Sequence, residues 1–484
     1  MTHSVARHTI APGLSVSRVL TGLWQVADLE RDGRTLSLDA AATAMAPYAV
    51  AGFTTFDMAD HYGSAEDIVG RFHTRVGAPP VELLTKWVPD PGPITREQVR
   101  AAIDRARARM QVASIDLLQF HAWSYSHPSW LDALYWLDEL RQQGLIRHLG
   151  LTNTDTAHLR LAVESGIPIV SNQVCYSLLD QRAARAMTEY CASRGITLLA
   201  FGTLAGGFLS ERWLGAPEPD WNALETWSQM KYGRFIQAVG GWDALQRVLQ
   251  VTQRIAQRHT VSMANVAMRA ILDAPAVGGV IVGARLGHSG HIADNARVDA
   301  LRLDAADRDA LRDVFSTLCP IPGDCGDEYR KPPFLTASGD LSHHVASFPA
   351  PYPVRHDADG RRRALSGTVW ESFAGYSRAI RVGNRILVSG TTATHRDRLI
   401  GGDDPAAQTH FVIDKIAGAL ESLGGRLEDV VRTCVFVSRR DDWEAVARAH
   451  GVRFAGIQPA NTLVSAALIG DGYLVEIEAE AVVG

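Results

Sequence analysis

Phe53-Thr54-Thr55-Phe56-Asp57-Met58-Ala59-Asp60-His61-Tyr62-Gly63 is the stretch from which the chain is best read. An apolar run ends in a carboxylate, Asp57, and five residues on a phenol, Tyr62, stands beside Gly63. Upstream, residues 37–51 are alanine-rich with helical spacing and stop at Gly52; downstream, 65–72 is again helical. The run is therefore a strand between two helices, with its polar residues gathered where it ends.

The same unit recurs along the chain. Residues 9–24 form a short hairpin turning at Pro12-Gly13, followed by a first strand at 19–24. Further strands are expected at 81–86, 115–121, 148–152, 169–174, 197–201 and 277–282. Helices are expected at 95–110, 130–143, 156–165, 182–194, 242–259 and 262–273, with Thr95 and Gln98 spaced as a capping box. A long insertion containing Trp and Gly follows the strand at 197–201. Eight strand–helix units, with strands apolar on both faces, predict an α/β (β/α)8 TIM barrel over residues 1–320.

The pattern breaks near Cys319. Residues 321–366, rich in Pro, Gly, Ser, His and Asp, read as a linker that also carries Phe334, Leu335 and Leu341. Arg361-Arg362-Arg363 within it reads as a solvated basic run. Residues 367–484 then form a small α+β domain. Its strands at 379–382 and 385–389 flank the hairpin signal Gly383-Asn384, and its long helix runs from 405 to 423.

Of 484 residues, 46% are hydrophobic and 21% charged, and the net charge is −5. With no large basic excess, neither nucleic acid nor an acidic membrane is an expected partner. Five scattered cysteines, no apolar run long enough for a bilayer and no signal-like start suggest a cytoplasmic protein with reduced thiols. His288 and His291, or Cys319 and Cys325 with His343-His344, lack metal-ligand spacing, so no metal is expected.

In a barrel of this kind the strand C-termini share one mouth. They bring together Asp57, Lys86, His121, Thr152 with Asn153, and Asn172 with Gln173, with Tyr62 in the loop just beyond Asp57. A lysine beside a phenol lowers its pKa, a carboxylate holds that lysine, and a histidine orients a carbonyl oxygen. An isolated Asp, Lys or His at a strand end is ordinarily a cap or loop ligand. Four such groups in register on successive units point to chemistry.

These residues resemble the catalytic tetrad of the aldo-keto reductases. Asp57 and Tyr62 match its Asp–Tyr pair, Lys86 in Leu83-Leu84-Thr85-Lys86-Trp87 its lysine, and His121 in Leu117-Leu118-Gln119-Phe120-His121 its histidine. The resemblance implies a carbonyl–alcohol oxidoreductase using NADP(H), preferred over NAD(H), with Tyr62 as general acid or base. It implies a cofactor cradle of Gly22, Leu23, Asp57, Thr152, Asn153, Gln173, Phe201, Gly202, Leu204, Gly283, Arg285, His291 and Asn295. Thr152 stands where the family usually has Ser, and Phe201 replaces a stacking tyrosine. Trp24 and Trp123 would line the substrate pocket.

Residues 367–484 resemble the RidA-like (YjgF-like) reactive-intermediate deaminases. The matching segments are Gly375-Tyr376-Ser377-Arg378-Ala379, Ile386 to Ala393, Arg432 to Val437, Pro459-Ala460 and Val475 to Ala479. That family forms trimers with clefts between subunits, which implies a homo-oligomer. Asn461 occupies the place of its substrate-gripping arginine and cannot supply a charged fork. Tyr376, Asn461 and Glu478 are the cleft candidates. The domain is expected to oligomerise or bind a ligand. The alternatives are a bifunctional enzyme handling an imine or enamine, and a non-catalytic nicotinamide-nucleotide sensor.

Overall fold

The computed structural model describes residues 5–288, 290–336 and 349–484. Leu341, His343 and His344 lie outside them. Strands β1 (Arg7–Ala11) and β2 (Leu14–Ser17) form the expected hairpin. Eight parallel strands then close into a barrel. They are β3 (Val19–Gly22), β4 (Thr55–Asp57), β5 (Glu82–Trp87), β6 (Ile115–Phe120), β7 (Ile146–Thr152), β8 (Ile169–Cys175), β9 (Thr197–Phe201) and β10 (Val277–Gly283). Pairing of β10 with β3 shuts the ring.

The hairpin plugs the barrel. Ile10, Leu14 and Val16 join the inward-facing Leu20, Leu84, Leu117 and Leu199 in one apolar cluster, separate from the core between strands and helices. Helix starts carry their own caps. Ser37 Oγ accepts from Ala40 N, Thr95 and Gln98 form the predicted reciprocal box, and Asp155 accepts from His158 N.

Four stretches differ from the sequence reading. Trp24 opens a helix, Trp24–Leu29, instead of ending the first strand. Residues 182–194 divide into a 3-10 turn and the helix Ala186–Arg194. The insertion after β9 contains the helix Trp227–Ala238. The stretch read as linker supplies a one-turn helix, Asp327–Arg330, and two strands, β11 (Val354–His356) and β12 (Arg362–Ala364). Arg362 and Arg363 thus sit in a sheet ladder, where Arg363 pairs with Asp357 at 2.6 Å, and not in a solvated run.

β11 and β12 extend the second sheet. It continues through β13 (Ala379–Val382) and β14 (Arg385–Thr392). Two short strands, β15 (Thr394–His395) and β16 (Arg398–Leu399), pair separately. β17 (Val430–Val437), β18 (Ala460–Ser465) and β19 (Val475–Val482) complete the sheet in the order β11-β12-β13-β14-β19-β17-β18. The helix Pro405–Ser422, with Asp404 as N-cap and Pro at its first position, buries nearly its whole length.

That helix packs on the barrel helix Thr156–Glu164. The approach is close enough that a Cβ on Gly418 would stand 2.7 Å from Ser126 O. Polar groups cross the seam: Arg160 to Asp404 at 2.6 Å, His158 Nε2 to Asp414 at 3.0 Å, and Asp132 to both His395 and Arg396 at 3.0 Å. His158 is buried between Asp155 and Asp414 and stacks on Tyr125 with ring centroids 3.4 Å apart. Burial works against its charged form, but the two carboxylates outweigh burial and hold its pKa above the ordinary value.

Candidate active site

β4 and β5 end side by side, and their last polar residues meet. Lys86 Nζ donates to Asp57 Oδ2 at 2.7 Å and to Met58 O at 2.9 Å, with both side chains buried. Asp57 Oδ1 accepts from Gln173 Nε2 at 2.7 Å and Gln119 Nε2 at 3.3 Å. The carboxylate is therefore held from both sides, and Lys86 lies 4.9 Å from the Tyr62 ring centroid.

The turn carrying Tyr62 is set by Gly63. Glu30 accepts from Ser64 N at 2.8 Å, and a Cβ on Gly63 would fall 2.1 Å from the same carboxylate oxygen. With φ at +56°, the position suits glycine on both counts. Tyr62 packs edge-on against Trp24 at 5.0 Å and His61 at 4.9 Å. Burial pushes its phenol well above the usual value of 10, with Asp57, Tyr329 and Asp60 adding to the effect. The lowering expected from Lys86 is outweighed here by burial and by the carboxylate of Asp57, with which the ammonium is paired. These surroundings favour the protonated phenol.

His121 is buried just past β6, edge-on to Trp123 at 4.6 Å and to Tyr329 at 5.5 Å. A cavity of about 770 Å³ opens over this group. Asp57, Tyr62, Lys86 and His121 line it together with Gly22, Trp24, Trp123, Thr152, Asn153, Gln173, Phe201, Gly202, Leu204, Gly283, Arg285 and His291. Two residues of the expected cradle are not on its wall. Leu23 is in the core, its N–H donating to Asp57 O at 2.9 Å, and Asn295 is buried in the short helix behind His291.

At the end of β7, Asn153 takes a left-handed conformation (φ +53°) with its N–H on Gln173 O at 2.8 Å. Its Oδ1 is buried and has no hydrogen-bond partner among the described residues. Such an orphaned acceptor in a cavity calls for a donor from a ligand. Arg285, exposed at the far end, has no carboxylate within 4 Å among the described residues.

Several residues of the site were absent from the sequence reading. Gln119 stands two positions before His121 on the same inward face, a signal the alternation along β6 does carry. Trp227, Lys231 and Tyr232 come from the insertion helix, and Tyr329 from the one-turn helix after the barrel. That turn is tied across the mouth. Arg182 pairs with Asp180 at 2.7 Å and Glu328 at 2.8 Å, and Arg330 donates to Ala122 O and Asn153 O.

In the second domain, Tyr376, Asn461 and Glu478 make no hydrogen bond to one another. Asn461 Nδ2 instead donates to Thr433 Oγ1 at 2.9 Å, and that hydroxyl also meets His450 at 3.0 Å. Among the described residues no group of three or more His, Cys, Asp or Glu side chains is placed to hold a metal, and no helix is long and apolar enough to cross a membrane.

A parallel eight-stranded barrel with Asp, Tyr, Lys and His converging on its mouth defines a class of oxidoreductase. Residues 18–315 match the family model for the aldo/keto reductase family, and the chain belongs to that family. Residues 368–483 match a second model, described as endoribonuclease L-PSP, so the RidA-like domain is present. An uncharacterized protein of Streptomyces coelicolor is 39% identical over 121 residues, 25% of this chain and 90% of that one. Flagellar radial spoke protein 5 of Chlamydomonas reinhardtii is 29% identical over 258 residues, 45% of this chain; the match spans about half, 49%, of that relative's length. Among solved structures, the thermostable aldo-keto reductase Tm1743, crystallised with the inhibitor epalrestat, is 21% identical with a TM-score of 0.51. It covers 64% of this chain and 99% of its own, and shares the fold.

Proposed function

We propose that the barrel interconverts an aldehyde or ketone, sugars included, and the corresponding alcohol, using NADP(H). The observation that carries this reading is the buried Asp57–Lys86 pair set against a protonated Tyr62 on one cavity wall. The nicotinamide supplies the hydride in reduction and accepts it in oxidation. Tyr62 gives the carbonyl oxygen its proton, or takes it back from the alcohol. His121 orients that oxygen, and Lys86 stabilises the phenolate left behind, anchored by Asp57.

The cavity fits the cofactor. Asn153 Oδ1 is an open acceptor for a carboxamide N–H, and Phe201 offers a ring for stacking. Arg285 supports a 2′-phosphate and hence NADPH over NADH. The Trp24, Trp123 and Trp227 rings favour a substrate with an apolar body. The second domain joins copies of the chain, as a trimer, through the sheet face bearing exposed Leu387, Val464 and Val482. Asn461, already bonded to Thr433, argues against imine turnover there.

The test is a panel of aldehydes, ketones, sugars and alcohols followed by NADP(H) absorbance, with wild type and Tyr62→Phe in parallel. Turnover by wild type and its loss in the variant are expected. Equal turnover in both would sink the assignment of Tyr62. Tight nucleotide binding with no turnover of any compound would favour the sensor reading.

A further inference from the structure

Lys231 lies on the insertion helix with its ammonium inside the cavity wall. It donates to Tyr329 Oη at 2.7 Å. Around it are rings: Phe201 with its centroid at 4.6 Å, Tyr329 at 4.8 Å and Tyr232 at 5.6 Å. No carboxylate among the described residues comes within 4 Å; the nearby Glu328 is taken by Arg182 at 2.8 Å. An ammonium has three donors, and this one uses one of them. Burial opposes its charge, yet Tyr329, Cys175 and Glu328 together keep its pKa above the ordinary value, so it stays cationic.

A charged donor set with two open positions, walled by aromatic rings, is a place for an anionic oxygen group. Its location says which molecule brings that group. Tyr329 stands between Lys231 and His121, its ring 5.5 Å from the imidazole. One aromatic ring thus separates the cation from the residue that orients the reacting carbonyl.

We propose that Lys231 and Tyr329 hold the carboxylate of the substrate, and that the barrel acts on a carbonyl compound that is also an acid: an oxo acid in one direction, its hydroxy acid in the other. The proposal rests on the carbonyl–alcohol reading above. In reduction the carbonyl carbon takes a hydride and its oxygen a proton from Tyr62. The carboxylate is a handle and leaves unchanged. The tryptophans at positions 24, 123 and 227 cover the carbon skeleton between the two ends.

Two matched pairs of substrates test this: 4-formylbenzoate against neutral 4-nitrobenzaldehyde, and succinic semialdehyde against butanal, each with NADPH. Lys231→Met is expected to raise KM for the acids at least 10-fold and to change the neutral aldehydes less than 2-fold. Lys231→Arg should keep the preference for acids, and Tyr329→Phe should weaken it several-fold; both also serve if the methionine variant folds poorly. Tryptophan fluorescence titrated with benzoate gives a second readout, expected to show binding to wild type and at least 10-fold weaker binding to Lys231→Met. An equal loss for acids and neutral aldehydes, with weaker NADPH binding, would assign Lys231 to the cofactor's phosphates and overturn the proposal. Unchanged kinetics and benzoate binding in Lys231→Met would overturn it too. If wild type reduces none of the four aldehydes, the carbonyl reading fails on its own, and benzoate titration still decides the anion subsite.

Discussion

Lys86 Nζ and Asp57 Oδ2 stand 2.7 Å apart at the ends of neighbouring strands, both screened from solvent. Removing one member of such a pair leaves a buried charge unmatched. Lys86→Met should lower stability by about 3 kcal/mol and kcat by roughly 100-fold or more. Adding Asp57→Asn to it should recover much of the stability and none of the activity. Thermal unfolding beside steady-state kinetics separates the two effects; joint recovery would contradict the assigned role.

The direction of the Tyr62 shift sets a pH profile. Reduction needs the phenol protonated, and burial has moved its pKa upward from 10. Reduction kcat should therefore stay level between pH 6 and 8.5. A descending limb within that range would show that the phenol ionises far lower than its surroundings dictate.

His158 gives the domain seam its own pH dependence. Its folded pKa is raised, so its contribution is complete below its ordinary value of 6.5 and is lost as pH climbs through the raised value. Asp414 is shifted the other way: burial raises it, but Arg453 and His158 outweigh burial, so its contribution fades only in acid. His158→Gln should cost about 3 kcal/mol near pH 6, and the gap to wild type should narrow steadily toward alkaline pH. Melting temperatures of both proteins from pH 5 to 9 measure it.

Glu328 tethers the turn that presents Tyr329. Glu328→Gln keeps its shape and weakens the charge held by Arg182. Faster hydrogen–deuterium exchange over 326–336 and a several-fold rise in substrate KM are expected. Unaltered exchange there would mean that the Arg330 bonds alone hold the turn.

Arg285 bears on cofactor choice. Arg285→Ala should weaken NADPH binding about 10-fold, in line with the loss of a charge-assisted contact, and leave NADH binding within a factor of two. Nucleotide titrations by fluorescence give both constants. Equal weakening would place the guanidinium on the part the two cofactors share.

The barrel, and the meeting of Asp57, Lys86 and His121 at its mouth, were legible in sequence because both follow from repetition. The strands are mainly apolar, and Asp57, Lys86 and His121 stand at or near the points where those runs stop. Lys231, Trp227 and Tyr329 carry no such mark. They belong to segments outside the repeat, and what seats them is tertiary: the Arg182–Glu328 pair and the Arg330 bonds for Tyr329, Tyr329 itself for Lys231, and Trp24 for Trp227. Trp24 was assigned to the right mouth but to the wrong element. Its apolar character suits a strand end as well as a first helical turn, and only packing on Tyr62 and Trp227 distinguishes them. The strands β11 and β12 were hidden for a related reason, being three residues each among prolines and charges.

Asp155 caps the helix that starts just after Asn153, and through His158 it touches Asp414 of the other domain. The two halves are consequently not interchangeable cassettes. A barrel transplanted without residues 395–414 would leave His158 without Asp414, Arg160 without Asp404 and Asp132 without His395 and Arg396. An exchange of either half would have to carry these cross-seam partners with it.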